Sequence, residues 1–395
     1  MKLIRKIVHA LAWRARIFLR PFLKPFQRIL ESPAAEKIVY AITEWRFDLM
    51  LKGKPKSTAS TPEVSIVIPI YNVAQYLSVC VKSALLQTHP NVRIILVDDG
   101  STDNSGQIAK AFADRFENVE LVTQKNAGLA AARNTGVDAI KKTDYLLFLD
   151  SDDVLPLKTV ENYLKAVGSL NVVVGKPTRL KGFALYKRSR EVFNRPVAKT
   201  TLASRVDFLS DVTAWNKLLR FDFWKSGGYR FPVGYLYEDM ALMTRVYAES
   251  GGFAVVTSTS YYWRSRLGGG TSITQERWQM KNLEHRLKAI EDTLSVLEEF
   301  YPRTNDTKGL WDYYQWSTAR FDINFFMPWV EHTDQKYFDT LHATAKRLYK
   351  QVDSMFWKKV PERYRPALKA LIANDRQGVI AAIAKARLSV PKPAK

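Results

Sequence analysis

Asp150-Ser151-Asp152-Asp153 closes an apolar run, Tyr145–Leu149, and puts three carboxylates on one turn. Carboxylates packed this closely repel each other, and a hard divalent cation relieves that repulsion. Mg2+ or Mn2+ held by few carboxylates completes its shell with water and substrate phosphates. Asp150 and Asp152 therefore point to a metal-bound nucleoside diphosphate. The alternative is an acidic turn that caps the following helix, since Asp favours N-caps. A second cluster, Asp98-Asp99-Gly100-Ser101, follows another apolar run, Val92–Val97. An acid there would accept hydrogen bonds from the N–H or O–H groups of a base or ribose.

Such clusters need a scaffold that brings strand ends together. Val64–Ile70 (VSIVIPI), Val92–Val97 (VRIILV), Val119–Val122 and Tyr145–Leu149 (YLLFL) read as short buried strands. Ala74–Gln87, Ser105–Phe116 and Gly128–Ile140 carry helical spacing between them. This alternation predicts an α/β fold, a mostly parallel sheet with helices on both faces. Ligands in such sheets sit at the carboxyl ends of the strands. The polar residues gather there, with Tyr71-Asn72 after the first strand and the two acidic clusters after the second and fourth. Cys80 falls in the first helix as a small buried hydrophobe.

The chain has 395 residues, room for two or three domains, and 46% of them are hydrophobic, enough for a packed core. Its one cysteine excludes a disulfide framework or thiolate zinc cluster, and its five scattered histidines argue against a histidine metal site. No apolar stretch is long enough to span a bilayer, and Arg interrupts the N-terminal apolar runs, a poor signal peptide. A cytoplasmic protein is the expectation. The formal charge of +21 is regional. Residues 1–30 carry eight cations and no acid, 174–230 thirteen cations against four acids, and 341–395 thirteen against three. Residues 64–153 run the other way, with eight cations and eleven acids. A nucleic-acid binder would put its cations on its main platform, so nucleic acid is not the expected partner. Residues 4–22 place Ile4, Val8, Leu11, Ala15, Phe18 and Phe22 on one helical stripe. That basic amphipathic helix either lies on an anionic membrane face or packs on its own domain.

The series VSIVIPIYNVAQYL, ILVDDGSTDNS, QKNAGLAAARNTGV and YLLFLDSDDVL resembles family 2 glycosyltransferases with the GT-A fold. The resemblance extends to AWNKLL (Ala214–Leu219), FPVGYLYEDMA (Phe231–Ala241) and YWRSRLGGGTSIT (Tyr262–Thr274). It implies an inverting, metal-dependent transfer of a sugar from a nucleotide-diphosphate donor, with UDP the commonest. The expected acceptor is a hydroxyl of a cell-surface polysaccharide, a teichoic-acid-like polymer or a lipid-linked acceptor. Asp239 would be the base, with Glu238 beside it; the alternative is a helix-start Asp that caps or pairs with Arg245. Asp152, with Asp150, would hold the Mn2+ or Mg2+ ion, and Asp150 the ribose. Arg264 and Arg266 would close over the diphosphate, although the extra glycines Gly268–Gly270 depart from the pattern. Asp99 would meet the nucleobase in a pocket shaped by Pro69 and Tyr71, while Asp98 joins that pocket or serves the turn. Asn126, Gly128 and Arg133 match the NxGxxxxR segment beside the donor; Arg133 alternatively pairs with Asp138. Lys217 and Trp215 would line the acceptor side, with a solvated lysine as the alternative for Lys217. Asp153 has no assigned role beyond a helix cap.

The chain then divides into a basic amphipathic helical segment (1–51), a linker (52–63), the GT-A domain (64–274) and a basic helical region (275–395). Within the GT-A domain, 64–160 form the donor and metal half and 161–274 the acceptor half. The alternative function is a catalytically silent relative acting as a basic polymer- or nucleic-acid-binding protein. The aromatic residues around Trp311–Trp329 form a core or, alternatively, stack on sugar. Oligomeric state is not encoded in any motif.

Overall fold

The computed structural model describes residues 33–51, 61–181, 184–186, 191–266, 276–350, 352–388 and 390. The helical stripe expected over 4–22, most of the linker and the loop carrying Gly268–Gly270 lie outside these residues. A helix, α1 (Pro33–Leu51), precedes the sheet. It docks on α2 (Ala74–Leu85) through Glu44, which accepts from Ser78 Oγ (2.5 Å) and Lys82 Nζ (3.2 Å), and through Asp48 on Lys82 (2.8 Å).

The sheet begins with β1 (Val64–Ile70), β2 (Val92–Asp98), β3 (Val119–Thr123) and β4 (Tyr145–Phe148). These strands lie in the order β3-β2-β1-β4 with parallel pairing throughout. Every residue of β1 is buried, which explains a run that is apolar but for Ser65. Pro69 is tolerated inside this central strand for a definable reason. Leu149 N–H donates to Val67 O (3.0 Å) and Asp99 N–H to Ile70 O (2.9 Å), so successive residues face β4 and β2 in turn. Pro69 faces the β4 side just beyond the last paired residue, Val67, where no ladder bond needs its missing N–H. Helices α2, α3 (Ser105–Arg115) and α4 (Leu129–Ala139) make the crossovers.

After α5 (Thr159–Val167) come β5 (Val172–Lys181), β6 (Ala184–Tyr186), β7 (Val197–Thr200) and β8 (Lys217–Arg220). Then follow α6 (Phe221–Ser226), α7 (Asp239–Glu249) and β9 (Phe253–Arg264). The sheet continues β4-β8-β5-β9-β7, with β6 on β5. Strand β8 is antiparallel to both β4 and β5, whereas β5 and β9 are parallel. Strands β1 to β5 and β9 therefore share one direction, the mostly parallel GT-A-like arrangement.

The C-terminal region is helical: α8 (Met280–Phe300), α9 (Lys308–Thr318), α10 (Gln335–Leu348), α11 (Ser354–Lys359), α12 (Arg365–Ile372) and α13 (Arg376–Lys385). A π-helical turn, Ala319–Ile323, follows α9. One hydrophobic cluster runs without a break from Val67 and Phe148 under the sheet through Leu283 and Ile290 to Leu341, Leu368 and Ile383. Trp311 and Tyr314 belong to that core rather than to a surface platform. Among the described residues no helix is long and apolar enough to cross a membrane.

Candidate active site

The polar clusters gather at the carboxyl ends of β1, β2 and β4. The turn after β2 holds itself together: Asp98 Oδ1 accepts from Ser101 N–H (3.1 Å), and Asn72 Oδ1 accepts from Thr102 N–H (2.8 Å). Gly100 makes the bend at φ 72°, where a Cβ would lie 2.9 Å from Asn126 N. Asp98 thus serves the turn, one of its two expected roles. Asp99 is buried and organises the neighbouring loop. Its Oδ1 accepts from Gln124 Nε2 (2.7 Å) and Ala127 N–H (2.8 Å), and its Oδ2 from Gly128 N–H (2.9 Å). Gly128, at φ 89°, presents that N–H from a conformation few other residues adopt. Tyr71 and Asn126 remain exposed at the mouth, while Pro69 is buried in β1.

Arg133 joins the two halves of the site. It projects from α4, is 1% exposed, and donates through Nη2 to Asp150 Oδ1 (2.7 Å) and through Nη1 to Glu238 Oε1. Its guanidinium also lies 5.1 Å from the Phe231 ring centroid. Burial opposes its charge, but Asp150 and Glu238 together hold the pKa above its ordinary value. Asp138 pairs with Arg230 instead (2.7 Å), so the surface-pair alternative for Arg133 does not occur.

The acidic turn after β4 is tied to the end of β9. Asp152 Oδ2 accepts from Arg266 Nε (2.7 Å), and Asp152 O accepts from Arg264 Nε (2.6 Å). Both guanidinium groups lie near the Tyr76 ring, at 5.2 and 5.8 Å. Asp153 is buried and caps no helix. It accepts from Tyr261 Oη (2.7 Å) and Arg264 N–H (2.6 Å), pinning the turn to β9. Burial, then repulsion from Asp152 and Asp150, pushes its carboxyl well above the usual range. Tyr261 Oη also accepts from Asp150 N–H (3.1 Å).

Asp150 and Asp152 each commit one carboxylate oxygen to an arginine and keep the other. Among the described residues no group of three or more His, Cys, Asp or Glu could hold a metal ion. Two carboxylate oxygens still suit a hard divalent ion that takes its remaining ligands from water and phosphate. The donor set fits Mn2+ or Mg2+ in that mode only.

Asp239 opens α7 and is half-buried. No described residue gives its carboxylate a hydrogen bond, and Arg245 pairs with Glu249 (3.1 Å) and Glu299 instead. Desolvation, followed by the charge of Glu238, pushes Asp239 up to about 7; Arg133 and Lys217 pull the other way. Just before it, Tyr237 adopts φ 65°, a left-handed conformation that costs a non-glycine residue about 1–3 kcal/mol.

The two expected acceptor-side residues are corrected by burial. Lys217 is fully buried, and its Nζ donates to Asp211 O (2.9 Å), Asp211 Oδ2 (3.3 Å), Thr213 O (2.5 Å) and Asn216 Oδ1 (2.9 Å). It is neither solvated nor open to an acceptor. Trp215 is 7% exposed and packs on Tyr261 at 4.3 Å between ring centroids, behind the acidic turn. Gln124, Tyr76 and Tyr261 shape the site although no role was expected of them; Gln124 opens the quoted QKNAGLAAARNTGV segment, Tyr76 lies in VSIVIPIYNVAQYL, and Tyr261 sits one residue before YWRSRLGGGTSIT.

A family model for Glycosyl transferase family 2 matches residues 65–228. Glycosyltransferase GlyG of Streptococcus pneumoniae is 32% identical over 222 residues, covering 52% of this chain and 71% of that protein. Glycosyltransferase GlyA of the same organism is 30% identical over 231 residues, covering 55% of this chain but only 32% of GlyA. The crystal structure of Staphylococcus aureus TarS 1-349 in complex with UDP-GlcNAc superposes with a TM-score of 0.63 over 82% of this chain and 92% of that one. At 18% identity that likeness shows the fold alone. With the acidic turn of β4, the loop-holding Asp99 and the buried Arg133 all inside the matched span, the chain belongs to glycosyltransferase family 2.

Proposed function

We propose that this enzyme moves a sugar, with inversion, from a nucleotide-diphosphate donor (UDP-sugar first) to a hydroxyl of a cell-surface polysaccharide, teichoic-acid-like or lipid-linked acceptor. The observation that carries the reading is the Arg133 bridge. One buried guanidinium joins Asp150, on the donor side, to Glu238, the neighbour of a carboxyl poised near neutrality. Inversion needs a base on one face of the anomeric carbon and a leaving group on the other, and this bridge sets the distance between them.

Asp239 takes the acceptor hydroxyl proton as that oxygen bonds to the anomeric carbon. The bond from that carbon to the diphosphate oxygen breaks, and its electron pair leaves with the nucleoside diphosphate. In this reading Arg264 and Arg266 stabilise that developing charge. Asp150 and Asp152 would hold a Mn2+ or Mg2+ ion, which when bound supplies further charge stabilisation to the diphosphate. Glu238, committed to Arg133, positions rather than reacts. Tyr71 and Asn126 at the mouth, with Asp99 shaping the loop and Pro69 and Gly128 the backbone around it, are the proposed nucleoside contacts.

The basic stretches outside the donor half suit an anionic acceptor or membrane face. Turnover of a panel of UDP-glucose, UDP-galactose, UDP-GlcNAc and GDP-mannose with Mn2+ or Mg2+ identifies the donor. Asp239→Asn should keep donor binding and lose turnover, whereas Asp152→Ala should weaken metal-dependent donor binding. Normal turnover by both variants refutes the reading.

A further inference from the structure

Tyr237 stands two residues before Asp239 at φ 65°, and its own neighbours in sequence do not explain why it stays there. The explanation lies on α8. Asn282, His285 and Arg286 occupy positions i, i+3 and i+4, one face of that helix. Tyr237 Oη donates to Asn282 Oδ1 (2.8 Å). The Arg286 guanidinium lies 4.5 Å from the Tyr237 ring centroid. Leu236 N–H donates to His285 Nδ1 (3.0 Å), so this ring nitrogen is the unprotonated one. Arg286 is held from behind by the buried Asp322 on the π-helical turn, whose Oδ1 accepts from Nε at 2.9 Å. At the other end of the pair, Arg245 of α7 bridges to Glu299 of α8.

We infer that α8 is a clamp that positions the base: Asn282 and Arg286 hold Tyr237 in its left-handed conformation, His285 holds the adjoining N–H, and Asp239 takes its orientation from them. This rests on the reading of Asp239 as the base. The three gripping residues, with Asp322, come from a part of the chain outside the span of the family model, so the helical region supplies part of the catalytic geometry. Without the clamp Tyr237 relaxes to negative φ and turns the peptide that carries Glu238 and Asp239. Besides the Arg133 bridge to Glu238, the acidic turn after β4 has anchors of its own in Tyr261 and Arg264, which the clamp does not touch.

Hydrolysis of the sugar nucleotide turned over fastest in the panel above, with water in place of the acceptor, tests this on the full chain. Tyr237→Phe and Asn282→Ala should lower kcat about three- to tenfold, and Arg286→Ala about tenfold or more, with donor KM and binding of the matching nucleoside diphosphate within about twofold. Arg286→Lys, which keeps a cation over the ring, should recover most of kcat. Tyr237→Phe removes one hydroxyl and carries the test alone if Arg286→Ala does not fold. The inference is overturned if Tyr237→Phe and Arg286→Ala hydrolyse normally while Asp239→Asn is inactive, or if kcat and nucleotide binding fall together. A fully active Asp239→Asn instead overturns the base reading, and the clamp's role with it.

Discussion

A carboxyl raised to about 7 by burial and by Glu238 is a base only above that pH. The kcat/KM profile should therefore show an acid limb with an apparent pKa near 7, falling about tenfold per pH unit below it. The same shift has a cost in stability. Asp239 titrates near 3.8 in the unfolded chain and near 7 in the folded one, so the folded state holds the extra proton between those values. The stabilisation is fully present below about 3.8 and is lost as pH rises through 7. Asp239→Asn removes that loss. Its gain in Tm over the natural enzyme should be larger at pH 8 than at pH 5; equal gains would contradict the assignment. Arg133 makes the opposite kind of contribution. Arg133→Met strands Asp150 and the buried Glu238, and breaking such a buried pair costs about 3–5 kcal/mol, readable as a fall in the urea midpoint. The type and spacing of Asp150, Asp152 and Arg133 were legible in the chain. That Arg133 reaches Glu238, 105 positions away, was not, because a guanidinium's partners are set by which strand ends meet.

At the scale of elements, the first half of the sheet was readable almost to the residue. Val64–Ile70 is β1, and the other runs end within a residue or so of β2, β3 and β4. β-branched runs buried on both faces, separated by helical spacing, leave little alternative. Strand β8 was not readable. Lys217–Arg220 is four residues long and begins with a lysine, so no alternating or continuous apolar pattern marks it as a strand. The sheet buries it between β4 and β5, and Asp211, Thr213 and Asn216 accept from the ammonium group there. The turn after β2 yields a prediction at this scale. Gly100→Ala must hold φ 72° and bring a Cβ to within 2.9 Å of Asn126 N. It should destabilise by more than about 1 kcal/mol. Because that turn abuts the Asn126–Gly128 loop, donor KM should rise while kcat holds. An unchanged KM would separate this loop from the nucleotide.

Over the whole molecule, the core does not stop where the glycosyltransferase motifs stop. Leu283, Ile290, Leu341 and Leu368 pack in the same cluster as Val67 and Phe148. Removing residues 276–395 exposes that shared surface, so the shortened chain should be insoluble or lose its cooperative thermal transition by circular dichroism. A soluble, cooperatively folding fragment would show instead that the two parts are independent. Composition located the positive charge outside the donor half, and motif order placed the acidic turns at the ends of parallel strands. Those are local properties: periodicity marks burial, and the loop after a buried parallel strand is where polar residues must go. Tertiary structure alone decided the rest. It buried Lys217 and Trp215, gave Asp153 to β9, left the Asp239 carboxylate without a hydrogen bond from any described residue, and set Tyr237 against α8. Each depends on which distant surfaces come to rest together, and a residue's charge state and exposure follow from that contact rather than from its neighbours in the chain.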